Sequence, residues 1–94
     1  MPEIAFEDYQ DAMIRAMRRI DVPRNDLEYS LAAAALVTFT YLNKNDDPLG
    51  SARSHLEKCR ASDSWHKKLN NFALSFFREI RREDLIERYR LSTH

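Results

Sequence analysis

Three side chains in the C-terminal half, His55, Cys59 and His66, have types and spacings that could do chemistry. His55 and Cys59 are four positions apart, so they would share one face of a helix and form half of a metal site. His66 is the only strong candidate for a third ligand, whereas a structural zinc site needs four, and the chain has one cysteine. A nucleophilic Cys59 would need a base and an oxyanion hole, which no recognisable pattern supplies. We expect a buried thiol beside a surface histidine, with no metal, no cofactor and no catalytic residue.

The spacing Arg60-x5-His66 resembles the Arg-x4–6-His pattern of the HEPN ribonucleases, a family that is all-helical and often dimeric. The resemblance covers these two positions. Ala61 stands where family members usually carry a polar residue, and the intervening ASDSW indicates a turn. The resemblance implies a ribonuclease, which remains an alternative to the non-enzymatic protein that the other residues favour.

The segment NKNDDPLG (43–50) begins like an EF-hand loop, with oxygen ligands at alternate positions from Asn43 to Asp47. The pattern then fails, because Pro48 takes the place of the required glycine and Ser54 the place of the bidentate glutamate. The composition therefore predicts a loop without a bound cation.

Charge is distributed unevenly although the chain has no net charge. Residues 1–50 carry five basic and nine acidic side chains, and residues 51–94 carry ten and six. Arginines alternate with aromatic residues near the C-terminus, a mixture that can dock phosphates and stack on bases. The possible phosphate contacts are Arg78, Arg81, Arg82, Arg88 and Arg90. Carboxylates are interspersed among them and would repel a phosphate backbone, so a nucleic-acid-binding module is the alternative function and not the first.

Four amphipathic or apolar segments must position these groups, because apolar residues recur at spacings of three and four. The predicted elements are a helix over about 5–20, a helix from an Asn25 cap to about Asn43, a helix over about 52–60 after a Ser51 cap, and a helix capped by Ser62 or Asp63 that carries an apolar stripe from Trp65 to Ile80.

The second of these helices is apolar on nearly every side over YSLAAAALVTFTYLN. At about 15 residues this run is shorter than the roughly 20 needed to cross a bilayer, so we expect no membrane span. A helix that is apolar all round must be buried by protein. Either the other helices of this chain or a second copy should cover it.

The apolar stripe of the fourth helix loses its phase near Arg82, because the apolar residues that follow would lie opposite Ile80 on an unbroken helix. Either the helix breaks around Arg82 to Asp84, or it continues and offers a second apolar face to a partner. We favour the break, after which the segment folds back or packs on a second subunit. The expected partner or oligomer interface is Leu85, Ile86, Tyr89 and Leu91.

The sequence thus predicts an all-α protein, a compact four-helix bundle with a short additional C-terminal helix, in one domain over 1–94. Its expected core residues are Leu36, Phe39, Leu69, Phe72 and Phe76. The lone cysteine and the acidic N-terminus without an apolar stretch favour the cytoplasm. The favoured function is that of a small regulatory, adaptor-like or inhibitor-like protein, which binds a partner surface and forms a homodimer.

Overall fold

The computed structural model of the chain describes residues 5–22, 26–42, 47–59 and 64–91. These residues form five α-helices and no strand, which confirms the predicted all-α bundle with a short C-terminal helix. The helices are α1 (Phe6–Arg19), α2 (Leu27–Leu42), α3 (Pro48–Lys58), α4 (Trp65–Glu79) and α5 (Glu83–Arg88).

Helix α4 lies at the centre and packs against the other four helices, and α2 packs mainly against α3 and α4. Four of the five expected core residues are fully buried: Leu36, Leu69, Phe72 and Phe76. The fifth, Phe39, is only partly buried, and its ring lies against that of His55 at a centroid distance of 5.9 Å. The core against which α2 packs therefore lies on the side of α4 that carries Phe72 and Phe76.

Helix α1 approaches α4 closely, because the contact involves small side chains. Ser75 is buried and its hydroxyl donates a hydrogen bond to the carbonyl oxygen of Ala16 (3.2 Å). Arg15 and Arg19 pair with Glu79 at 3.0 and 2.6 Å. Both arginines are mostly exposed, so these ion pairs contribute little stability and the apolar contacts hold the two helices together.

The start of α3 differs from the prediction. Asp47 is the N-cap, its side chain accepts a hydrogen bond from the Gly50 amide (3.0 Å), and Pro48 occupies the first helical position. The expected cap at Ser51 is wrong, because proline at the first position and aspartate before it already begin a helix. Of the predicted loop, residues 43–46 lie outside the described residues.

The end of α3 corrects a second expectation. Cys59 is the C-cap residue and is exposed, so the thiol is not buried as expected. The buried side of α3 consists of Leu49, Ala52 and Leu56, and Cys59 lies beyond the last helical residue, Lys58.

The predicted caps of α2 and α4 fall at or beyond the edges of the described chain. Asn25 lies outside the described residues, and the Asp26 carboxylate accepts a hydrogen bond from the Tyr29 amide (3.0 Å), as a capping side chain does. Ser62 and Asp63 also lie outside them. The N-cap position of α4 belongs to Ser64, whose hydroxyl donates to Glu28 (3.0 Å) instead of capping.

Helices α1, α4 and α5 each end with a left-handed residue, and none of the three is glycine. These residues are Asp21, Arg81 and Arg90, with φ angles of 53°, 58° and 53°. After α4 the Arg82 amide donates to the Phe77 carbonyl (2.8 Å) and the Arg81 amide to that of Arg78, which is the Schellman pattern. The predicted break near Arg82 is confirmed, and it begins two residues earlier than expected.

Candidate functional site

The most prominent surface feature is an apolar face on α2. Five large hydrophobic side chains are exposed in the described part of the chain, and four of them belong to this helix. Leu27 is 81% exposed and Leu42 64%, and the small residues between them also face solvent. We define the α2 face as Leu27, Leu31, Ala34, Thr38, Tyr41 and Leu42.

These residues share a face because they are spaced by three or four positions along a regular helix. The face runs the full length of α2, about 22 Å at 1.5 Å per residue. The opposite side of the helix forms the core through Ala32, Ala33, Leu36, Val37 and Thr40. Among the described residues, the chain's helices cover one side of α2 and leave the α2 face exposed.

Charged groups are held away from the α2 face at its N-terminal end. Lys68 on α4 pairs with Asp26 and with Glu28 at 3.0 and 2.9 Å. The hydrogen bond from the Tyr29 amide, together with Lys68, lowers the pKa of Asp26, and bonds to Glu28 and Asp26 raise the pKa of Lys68. The acidic side chains of this helix start thus point to α4, and the face itself contains no charged residue.

Aromatic side chains form one border of the α2 face. The Tyr41 ring meets Phe6 and Tyr9 of α1 edge-on, at centroid distances of 5.1 and 6.0 Å. Because these contacts hold the ring beside α1, Tyr41 is only 37% exposed. The two leucines farthest from each other, Leu27 and Leu42, are the most accessible members.

The C-terminal residues predicted as an interface are packed within the chain. Leu85 is 1% exposed, and its three companions, Ile86, Tyr89 and Leu91, are partly buried against the same core. The Tyr89 ring stacks on that of Phe77 at 6.3 Å. Folding back therefore accounts for their apolar character, while their contact with a second subunit stays a prediction.

The residues first considered for chemistry lie on exposed surface. The Cys59 sulfur is 3.6 Å from His55 Nε2, and both side chains are exposed at the end of α3. His66 is exposed and stacks on Trp65 at the start of α4. Among the described residues no group of three potential ligands is close enough to hold a metal. Arg60, the other half of the HEPN-like pair, lies outside them.

The five arginines predicted as phosphate contacts do not form one surface. Arg78 lies with Arg19 at a shallow pocket between α1 and α4, and Arg81 is exposed at the end of α4. Arg82 pairs with Asp84 (2.9 Å), and Arg88 lies over the Tyr89 ring. Arg90 lines a separate pocket with basic residues of α3 and α4, namely Arg53, Lys67 and Lys68.

Comparisons with family models, with curated proteins and with solved structures find no match to this chain. In the part of the chain that the structure describes, no helix combines the length and the apolar character that crossing a membrane requires.

Proposed function

We propose that this chain is a small, non-catalytic interaction protein that forms a homodimer through the α2 face. The observation that carries the proposal is the concentration of exposed large hydrophobic side chains on one uncharged face of a single helix. Monomeric proteins expose single hydrophobic residues without consequence, whereas a continuous apolar surface marks a contact site.

A second copy fits this face because the face has the same character when read from either end. Leucines stand near both ends, and small side chains lie in the middle. In an antiparallel pair related by a two-fold axis, Leu27 lies opposite Leu42 of the partner, Leu31 opposite Thr38, and Ala34 close to the axis. The small central residues let the two helices approach to about 8–10 Å.

The size of the face sets the expected strength of the dimer. Burying a large apolar side chain contributes about 1.5–3 kcal/mol. At about 25 cal/mol per Å² of buried apolar surface, that energy corresponds to roughly 60–120 Å² for each side chain. Six side chains, several of them already partly covered, then supply roughly 400 Å² per protomer and roughly 800 Å² in total. Specific interfaces usually bury a total area of at least about 1,000 Å². We therefore expect micromolar affinity and exchange with the monomer.

The proposal places the protein among regulatory proteins of the cytoplasm, where its single thiol stays reduced. The chemistry of the α2 face supports a binding role over a catalytic one. The face consists of aliphatic side chains with one hydroxyl at Thr38 and one phenol at Tyr41. Such a surface gains free energy by excluding water, and it contains no pair of groups that could exchange a proton with a substrate.

Sedimentation equilibrium of the wild type and two variants tests the proposal. The wild type, with a chain mass of 11.1 kDa, should approach twice that mass as its concentration rises through the micromolar range. Leu27→Lys should weaken the association at least tenfold, because a buried unpaired charge opposes contact. Ser54→Lys adds the same charge at an exposed position of α3 and should leave the dimer intact. A wild-type chain that stays monomeric up to millimolar concentration would refute the proposal.

A further inference from the structure

A basic pocket lies away from the α2 face, between the start of α2, helices α3 and α4, and the residues that follow α5. Its volume is about 410 Å³. Four cationic side chains line it, and no carboxylate is among its lining residues in the described chain: Arg53, Lys67, Lys68 and Arg90. From this composition we propose that the basic pocket binds the phosphate group of a small phosphate ester such as a mononucleotide. This site is independent of the proposed dimer.

Two of the neutral polar side chains that line the pocket, Asn70 and Tyr29, keep a donor for a ligand. Asn70 uses its side-chain oxygen to accept a hydrogen bond from Arg53 Nη2 (2.8 Å), so its remaining side-chain group is the NH₂ donor. Asn71 donates to the Tyr29 oxygen (2.8 Å), which leaves the Tyr29 proton to donate elsewhere. A ligand with acceptor oxygens can pair with these two donors.

The charges of the pocket are not balanced by its own acids. Lys68 is neutralised by Asp26 and Glu28, so it serves as part of the wall. In the described chain no carboxylate lies within ion-pair distance of Arg53, Lys67 or Arg90. Asp47 lies near enough to Arg53 for that arginine to lower its pKa, but its carboxylate bonds to Tyr89 and Gly50. Three positive charges therefore face one concavity, where an anion relieves their mutual repulsion.

Arg90 is held at the pocket by its backbone. It is the left-handed residue that ends α5, with φ 53°, and the Leu91 amide donates to the Ile86 carbonyl (3.0 Å). The peptide that carries Arg90 is thus tied to the end of α5 by the pattern that ends the helix. Leu91 and the Tyr29 ring give the pocket apolar walls as well.

A phosphate group fits these features. Arginine presents a planar fork that matches phosphate oxygens, and lysine adds a point charge. The pocket falls within the roughly 300–1,000 Å³ range of small-molecule sites. Its volume exceeds that of one phosphate, so the apolar walls can cover the organic part of an ester.

Isothermal titration at low salt tests the assignment. Adenosine 5′-monophosphate should bind, adenosine should bind at least tenfold more weakly, and inorganic phosphate should compete. Lys67→Gln and Arg90→Gln should each weaken binding of the monophosphate about five- to tenfold, because each removes one charged contact. Arg78→Gln, which removes an equal charge outside the pocket, should change it less than twofold. Equal binding of adenosine and its monophosphate, or equal effects of all three variants, would overturn the proposal.

A second set of probes separates a free nucleotide from the end of a nucleic acid. Two single-stranded oligonucleotides of one sequence, with and without a 5′-phosphate, are titrated against the same variants. A phosphate site predicts that the phosphorylated strand binds more tightly and is displaced by the monophosphate. If the two strands bind equally, if added salt abolishes the binding and if the monophosphate does not compete, the binding is general attraction to the backbone and the pocket assignment is wrong.

Discussion

Tyr89, which follows α5, donates its phenolic hydrogen bond to Asp47, the residue that caps α3, although the two are 42 positions apart. The same Asp47 oxygen accepts from the Gly50 amide, and the Tyr89 oxygen accepts from the Leu49 amide (3.4 Å). One carboxylate thus fixes both the start of α3 and the end of α5. The bond lowers the pKa of Asp47, while burial and the same bond raise the pKa of Tyr89 to about 12.

Tyr89→Phe should lower the free energy of unfolding by about 1–2 kcal/mol near neutral pH. It removes the hydrogen bond that Tyr89 donates to Asp47 and the longer one that it accepts from the Leu49 amide. The contribution should depend on pH at both ends. The lowered pKa of Asp47 means that its share is present above its ordinary value of 3.8 and is lost as the pH falls through the folded pKa. The raised pKa of Tyr89 means that its share is present below 10.0 and is lost as the pH rises towards about 12.

Urea unfolding of both proteins from pH 2 to 11 measures this difference. The two unfolding curves should be separated by a constant free energy from about pH 5 to 9 and should converge at the acid end. A difference that does not vary between pH 2 and 7 would show that Asp47 is not the acceptor that matters.

The effect of Gly50→Ala on the free energy of unfolding should depend on residue 47, and its sign should reverse when Asp47 is replaced. A β-carbon at Gly50 would overlap the Asp47 carboxylate, so the cap and the Tyr89 bond would both be displaced. Their loss, about 1 kcal/mol each, outweighs the gain of about 1 kcal/mol from alanine in a helix, and the net effect is destabilising. In an Asp47→Ala background the overlap is gone, and Gly50→Ala should stabilise by up to about 1 kcal/mol. A destabilising effect in both backgrounds, measured by urea unfolding, would contradict this interpretation.

Arg81→Gly should stabilise the protein by about 0.5–1 kcal/mol. Arg81 has a φ of 58°, a conformation that costs a residue with a β-carbon about 1–2 kcal/mol, and glycine avoids much of that penalty. Arg78→Gly is the matched control, since it makes the same substitution inside α4, where glycine should destabilise by about 0.5–1 kcal/mol. Thermal unfolding should therefore move in opposite directions for the two variants; a lower melting temperature for both would reject the explanation of the break.

Leu85→Ala should lower the free energy of unfolding by about 2–5 kcal/mol without altering the oligomeric state. Leu85 is 1% exposed and packs in the core of its own chain, so its removal leaves a cavity there. Denaturant unfolding gives the first quantity, and sedimentation of the folded variant gives the second. A small loss of stability combined with a change of mass would instead support the predicted contact of the C-terminal segment with a second subunit.

The sequence predicts the buried stripe of α4 well, but it does not predict the burial of Phe77, which adjoins that stripe. Leu69, Phe72 and Phe76 recur at helical spacing, so their shared face can be recognised without coordinates. Phe77 is just as fully buried, but it lies about 100° from Phe76, on a side where its ring meets Tyr89 at the end of the returning α5. Its burial follows from the break after α4, and residue spacing alone does not show where the chain goes next.

The start of α3 and the α2 face show two different reasons for missed features. Asp47 and Pro48 carry an ordinary helix-start signal, which the loop-like composition of the preceding residues obscured. On α2 the signal is absent, because the helix is apolar on all sides and its sequence does not distinguish the buried Leu36 from the exposed Leu31. Which side remains open depends on where α1, α3 and α4 pack.

The antiparallel α2 contact is tested most directly by mixing two variants that should each be monomeric. Leu27→Lys and Leu42→Glu each place a charge against a partner leucine in their own homodimers. In an equimolar mixture the register puts the new lysine opposite the new glutamate and leaves the remaining pair, Leu42 and Leu27, intact. Sedimentation equilibrium should therefore show a heterodimer of about twice the chain mass in the mixture and monomers in either variant alone. A mixture that remains monomeric, while the wild type dimerises, would contradict the antiparallel contact; two variants that each dimerise like the wild type would remove the α2 face from the interface.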